Sequence, residues 1–364
     1  MKKVLVFSTL KSQVNFNDNS SITQIEPIHP YIGNLWSNII KNNNNIVDYL
    51  NTTKYIKYKK HNFFYKYLFL PKSYSTIIVH STSGLGKAAL IKIFNRKVNV
   101  VYYSLSKINP SGNYIQVLLR KLMLFIDISL SDHIVYGLNH LTNIIPLNWF
   151  NKKRTYFPFL TDYNFFQSVI TDSIDLKINY NNFILIVGDI TRDDKFVYDE
   201  LSDVKMPIIR ITRDPVVINT VDALINKKRG DLILSGVSFV ELANFYNKAR
   251  CCIVASKYDD WQPGGITSIA EALACNGICI CNSGGEIESE FKFLSIDSNI
   301  SNPLIYYKYP EKDSLRKVIS EFNDLSNEAI QALRIKSNIF SNKALNFNIK
   351  GMQLLNQIII KHIK

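Results

Sequence analysis

The chain reads as an α/β protein of two Rossmann-like domains, each built on a parallel sheet, with the sheets facing an interdomain cleft. Three observations predict this. Short apolar, β-rich runs alternate with helical patterns, which is how strand–helix–strand crossovers look in a sequence. The alternation stops at a polar stretch, 171–182, and restarts beyond it. Finally, 364 residues are enough for two domains of roughly 100–200 residues each, and 46% hydrophobic with 20% charged residues suits a chain that buries a core.

In chain order, Lys3–Ser8 reads as a buried first strand rather than a signal peptide, because its short apolar run leads into Lys11, Ser12 and Gln13 with no small-residue cleavage site. Tyr31–Leu50 carries a helical pattern interrupted by a loop at Asn42–Asn45. Tyr74–His80 is a strand, Gly86–Phe94 a helix, Val98–Ser104 a strand, Tyr114–Ile128 a helix and His133–Tyr136 a short strand. The second series has strands at Phe183–Val187, Pro207–Ile211 and Asp231–Leu234, then helix Phe239–Lys248, strand Cys251–Ala255, helix Thr267–Cys275 and strand Gly277–Cys281. These give an N-domain over 1–170, a C-domain over 171–345 and a terminal helix over 346–364 that can pack back on the N-domain. In such sheets ligands bind at the carboxyl ends of the strands. No apolar run approaches the ~20 residues of a membrane-crossing helix. All five cysteines lie between Cys251 and Cys281 without paired CxxC spacing, which predicts reduced core residues rather than disulfides or a metal site.

The charge is divided unevenly. Residues 1–165 hold 20 Lys/Arg against 6 Asp/Glu, whereas residues 166–364 hold 23 against 24. The whole net charge of +13 therefore comes from the N-terminal half, and a polyanion or an anionic membrane surface is its expected neighbour. Within it, Lys54–Leu70 interleaves Lys54, Lys57, Lys59, Lys60 and Lys66 with Tyr and Phe, a pattern that suits an anionic bilayer interface, a nucleic acid or simply a solvated edge.

Chemistry concentrates in Asp231–Glu288. One strand ends at Ser235-Gly236-Val237; another is followed by a polar loop, Pro263-Gly264-Gly265, that opens a helix carrying Glu271. Glycines at a helix N-terminus let backbone N–H groups approach a phosphate, and the helix dipole favours the anion. A carboxylate two turns further on can accept hydrogen bonds from ribose hydroxyls; the plain alternative is a turn followed by a solvated surface helix.

The order of these features resembles the C-terminal domain of GT-B glycosyltransferases of family 4, retaining enzymes that use nucleotide-sugar donors. FILIVGDITRDDK at Phe183–Lys195 is similar to the family's first C-domain strand and its basic pair. YFPFLTDYNFF at Tyr156–Phe166 resembles the segment leaving the N-domain, and IIVHSTSGLGKAAL its fourth-strand region. The resemblance covers most of 75–288 and implies specific roles. Glu271 would be the distal acid of an E-x7-E motif that holds the ribose. Gly264, Gly265 and Ile266 would present amides to the diphosphate, and Arg192 and Lys195 would neutralise the leaving group without a metal or other cofactor. Gly236 and Val237 would sit beside the base, and Gly33, followed by Asn34, would stand for the N-domain glycine loop. His80 and Thr82 are candidate sugar contacts.

Two departures stand out. Pro263 occupies the position of the proximal acid, so Gln262 or an acid from Asp259-Asp260 takes its place, or the donor is handled differently. Thr82 stands where the family often has a second His. A decoy also occurs: Ser81–Ala88, STSGLGKA, resembles a phosphate-cradling loop, yet Ser81 replaces its first Gly and Ala88 its Mg²⁺-holding hydroxyl.

The resemblance therefore implies a hexosyltransferase-like transfer from a nucleotide-sugar donor to a saccharide or lipid-linked acceptor in surface polysaccharide assembly, with no nucleic-acid partner. The place of action would be cytoplasmic, peripheral at the inner face of the cell membrane. The alternative is a non-catalytic GT-B-like protein that binds a nucleotide or sugar.

Overall fold

The structure is a computed structural model. It describes residues 3–8, 46–51, 74–80, 86–104, 113–138, 154–171, 182–189, 192–256 and 264–362. The described residues up to Pro158, with those from Gly351 onward, form one compact unit, and Phe159–Lys350 form the other.

The first unit holds a six-stranded sheet of β1 (Lys3–Ser8), β2 (Ile46–Asn51), β3 (Thr76–His80), β4 (Asn99–Ser104), β5 (His133–Tyr136) and β6 (Arg154–Tyr156). Its order is β2-β1-β3-β4-β5-β6, and every neighbouring pair is parallel. Helix α1 (Lys87–Phe94) follows β3 and α2 (Tyr114–Leu130) follows β4. The two helices cover the sheet through Ala88, Ile91, Leu124 and Ile128, which pack on Ile77, Val79, Val100, Tyr102 and Ile134. Each such Val or Ile contributes roughly 1.5–3 kcal/mol when fully buried.

The helical reading of Tyr31–Leu50 fails over its last residues. Ile46–Asn51 is a strand, in register with Lys3–Ser8 along its whole length. An Ile-Val-x-Tyr-Leu run satisfies either periodicity over so few positions, and pairing with β1 decides between them.

The second unit begins with α3 (Tyr163–Ser168). Its sheet contains β7 (Ile184–Val187), β8 (Ile208–Ile211), β9 (Leu232–Leu234), β10 (Cys251–Val254), β11 (Cys279–Asn282) and β12 (Ile305–Tyr307). The order is β12-β11-β10-β7-β8-β9, again all parallel. Chain order reverses between β7 and β10, and this switch point is where an open parallel sheet forms its ligand crevice. The helices are α4 (Asp194–Glu200), α5 (Pro215–Asp222), α6 (Phe239–Lys248), α7 (Ile266–Ala274), α8 (Glu286–Ser298), α9 (Ser314–Asn323) and α10 (Asn327–Phe340). Strands such as ILIV and CCIV are buried along their whole length, as two-sided coverage requires. All five cysteines are free and buried, four on β10 and β11 and Cys275 at the end of α7.

Helix α6 starts with a complete capping box, in which the Ser238 hydroxyl accepts from the Glu241 N–H and the Glu241 carboxylate accepts from the Ser238 N–H. The expected terminal helix over 346–364 is shorter. Asn346 bridges to Thr161, wide helical turns occupy Phe347–Gly351, and regular helix α11 spans Met352–His362. The Asn346 side-chain oxygen accepts from the Asn348 N–H and so caps these turns, while its amide nitrogen donates to Asn342.

Candidate functional site

The switch point of the second unit gathers most of the implied donor site. β7 ends at Val187, and the loop after it returns Arg192 beside the end of β10. Arg192 and Ser256 form an isolated antiparallel bridge, and the Asp193 N–H donates to the Ala255 carbonyl at 2.9 Å. The Arg192 side chain is only 4% exposed. Its Nε donates to the Val187 carbonyl at 3.0 Å and its Nη2 to the Ser268 hydroxyl at 3.2 Å. Gly188 makes this fold-back possible, because a Cβ there would sit 2.6 Å from Arg192 Nη2.

Helix α7 begins at Gly265, whose φ of +112° lies in the left-handed region. A Cβ at Gly265 would meet Val254 Cγ1 at 2.4 Å and stand 3.4 Å from Arg192 Nη1, so the turn presses on both β10 and the guanidinium. The Ser256 hydroxyl donates to the Gly264 carbonyl and ties the start of α7 to the end of β10. Gly264, Gly265 and buried Ile266 thus form the N-terminus of α7 with Arg192 against it, as the resemblance implies.

Glu271 is buried two turns along α7, 7% exposed, and its Oε2 accepts from the Tyr246 hydroxyl at 3.3 Å. Burial raises its pKa from 4.5 to about 7, opposed by the Tyr246 hydrogen bond and the charge of Arg213. Tyr246 also shares a hydrogen bond with Ser268, while burial and then the nearby Glu271 charge push its phenol well above the ordinary value. Arg192, Ser268, Tyr246 and Glu271 therefore form one continuous polar chain. For Arg192 itself, burial first and repulsion from Arg210 second lower the guanidinium pKa.

Lys195 departs from its expected place. It lies exposed on α4 and pairs with Asp199 at 2.6 Å, an i,i+4 contact within its own helix. That contact and the charge of Asp199 raise its pKa. The basic pair is thus divided, with Arg192 inside the crevice and Lys195 on the surface. Gly236 and Val237 follow β9 at the sheet edge. Gly236 is exposed, and nothing lies within 4 Å of where its Cβ would be. Arg213, whose charge acts on Glu271, stacks 5.4 Å from the Phe239 ring centre. His80 ends β3, but its side chain, Thr82, Gln262, Pro263, Gly33, Asp259-Asp260 and Lys54–Leu70 lie outside the described residues.

Three residues escaped the sequence reading. Arg210, fully buried on β8, bonds Asp194 at 2.7 and 3.2 Å, the Gly188 carbonyl at 2.6 Å and the Ile211 carbonyl at 2.8 Å, and so anchors the loop that carries Arg192. A lone charge within the apolar run Pro207–Ile211 was its visible signal. Tyr246 lies within the segment Asp231–Glu288 but was given no role there, and Ser268 had no signal beyond its place on α7.

The phosphate-loop decoy is resolved by the same kind of geometry. Gly86 has φ +83° and opens α1, but the Gly86 and Ala89 N–H groups donate to Asp127 at 2.6 and 2.8 Å. Lys87 is buried beside that carboxylate; burial lowers its pKa to about 8, with Asp127 opposing the shift. The chain's own anion fills the position a phosphate would take.

Two parallel, doubly wound α/β units define the GT-B fold, and comparison with solved structures agrees. The chain is similar to HepE of Anabaena, solved with UDP, at a TM-score of 0.69 and 11% identity, covering 100% of this chain and 99% of that one. It is similar to the trehalose-6-phosphate synthase of Burkholderia multivorans at 0.62 and 9%, covering 99% and 95%. An alpha-glucosyltransferase solved with UDP-glucose and DNA containing an abasic site matches at 0.55 and 13%, covering 98% and 99%. No protein-family model and no curated protein matches the chain.

Proposed function

We propose that this chain is a retaining, hexosyltransferase-like glycosyltransferase that moves a sugar from a nucleotide-sugar donor to a saccharide or lipid-linked acceptor in surface polysaccharide assembly. The observation that carries the reading is a buried cation, Arg192, set against the glycine-led N-terminus of α7. A helix N-terminus already favours negative charge, so a guanidinium there adds positive to positive. A diphosphate is an anion that the helix N-terminus and the guanidinium both favour, and it is the anion such donors carry.

In this reading the amides of Gly264, Gly265 and Ile266 hold the diphosphate and Glu271 accepts from the ribose hydroxyls. Arg192 neutralises the charge that grows on the leaving diphosphate as the glycosidic bond breaks, so the protein's own cations take the role a metal would have. Lys195 becomes a second cation by exchanging its exposed bond to Asp199 for the donor; exposed pairs of this kind are weak. The cationic first half is assigned to the acceptor side, at an anionic membrane surface on the cytoplasmic face.

Titration calorimetry with UDP, bound in one of the similar structures and the nucleotide part of the UDP-glucose bound in another, tests the site. Glu271→Ala is expected to weaken binding by roughly tenfold or more, the cost of losing a charge-assisted hydrogen bond. Unchanged affinity would place the nucleotide elsewhere. Pro263 at the proximal-acid position favours the second reading, a GT-B-like binding protein without turnover. Transfer and donor hydrolysis across a panel of nucleotide sugars separate the two, since silence with intact binding supports the second.

A further inference from the structure

Helix α2 is apolar on more than one side. Leu124 and Ile128 account for the side packed on the sheet. On the opposite side Ile115, Leu118, Leu119 and Leu122 recur at i, i+3, i+4 and i+7 and are 65, 52, 54 and 50% exposed. A helix that is hydrophobic all round belongs in a protein core or in lipid. Lys121 stands exposed on the helix itself, and residues 49–126 contain thirteen Lys/Arg and no Asp/Glu.

We propose that the outer face of α2 docks into an anionic lipid surface, with Ile115, Leu118, Leu119 and Leu122 entering the headgroup boundary and Lys121 and the basic segment around the helix meeting the lipid charge. Apolar side chains flanked by cations match a bilayer interface of negative surface potential. A nucleic acid would call for aromatic stacking platforms, whereas this face is aliphatic. A second copy meeting the same face about a two-fold axis would set cationic flank against cationic flank. The inference rests on the membrane placement proposed above and not on the transfer chemistry.

The test is sedimentation of the full chain with vesicles of phosphatidylcholine alone or mixed with phosphatidylglycerol. The comparison includes Leu118→Gln/Leu122→Gln and, separately, Lys57→Gln/Lys59→Gln/Lys60→Gln/Lys66→Gln. UDP affinity and thermal melting check that each variant is folded. The wild type is expected to pellet with the phosphatidylglycerol vesicles in a salt-sensitive manner, and the double leucine variant to partition roughly tenfold or more weakly with unchanged UDP affinity. If only the lysine variant is released, the α2 inference falls and the membrane placement stands. If the wild type never pellets, both fall. Two further outcomes also overturn the proposal. One is a dimer in ultracentrifugation that the leucine variant dissociates, with no vesicle binding; the other is retention by duplex DNA in place of vesicles.

Discussion

Helices α1 and α7 begin alike and end differently. Each follows a parallel strand, and each starts at a glycine with positive φ, +83° at Gly86 and +112° at Gly265. At α1 the chain brings in an anion, Asp127, which accepts from the Gly86 and Ala89 amides. At α7 it brings in a cation, Arg192, which adds to the helix's positive end rather than cancelling it. The fold closes the first N-terminus with its own carboxylate; at the second the described residues set a cation, and in the proposed reading the donor's diphosphate supplies the anion. A glycine-led helix start is thus no evidence for a phosphate site until the charge beside it is known.

The comparison predicts opposite phenotypes. Asp127→Ala should have the largest effect on folding. It strands buried amide donors and the nearby Lys87, at a cost of about 3 kcal/mol, and should lower the midpoint in urea while leaving UDP affinity of the remaining folded protein intact. Arg192→Met should do the reverse. UDP affinity is expected to fall by roughly 30- to 100-fold, or about 2–3 kcal/mol, with no drop in stability beyond about 1 kcal/mol, since repulsion from Arg210 disappears as well. Equal loss of stability in both variants would erase the distinction between the two helix starts.

Glu271 sharpens the contrast through pH. Its folded pKa of about 7 lies above its ordinary 4.5, so the native state holds a proton that the unfolded chain has released. This contribution to stability is complete below about pH 4.5 and is lost as pH rises to about 7, amounting to on the order of 3 kcal/mol. Glu271→Gln should flatten that part of the stability–pH curve. UDP affinity in the wild type should rise across pH 6–8 as the carboxylate ionises and accepts the ribose hydroxyls, and the Gln variant should show no such rise. The smallest effect belongs to Lys195→Gln, which should leave the melting temperature in place and weaken UDP binding by a few-fold at most at moderate salt.

Much of the architecture was legible along the chain. Helix α6 was read with the bounds it has in the structure, and most strands of both sheets within a residue or two, because each repeats a local period between clear stops. β2, β6 and β12 were not: the six residues of β2 carry too little periodicity to outweigh pairing with β1, and β6 and β12 have three residues each. In the candidate site, Gly264, Gly265 and Glu271 were named from residue type and order and Arg192 from the family resemblance, which could not separate Lys195 from Arg192. Both follow β7 within a few positions, and only the start of α4 at Asp194 turns one inward and the other toward Asp199.

The sequence by itself determined the alternation of strands and helices, the capping of α6, the burial of the cysteines and the segregation of positive charge into the first half. These depend on neighbours a few residues apart or on composition. The tertiary structure alone decided which anion or cation stands at each glycine-led helix, that Arg210 anchors the loop of Arg192, and that Glu271 lies deep enough to titrate near neutrality. Each of these depends on a contact across tens of residues, such as the Gly86 amide to Asp127 or Arg192 to Ser268, and on the desolvation such packing imposes.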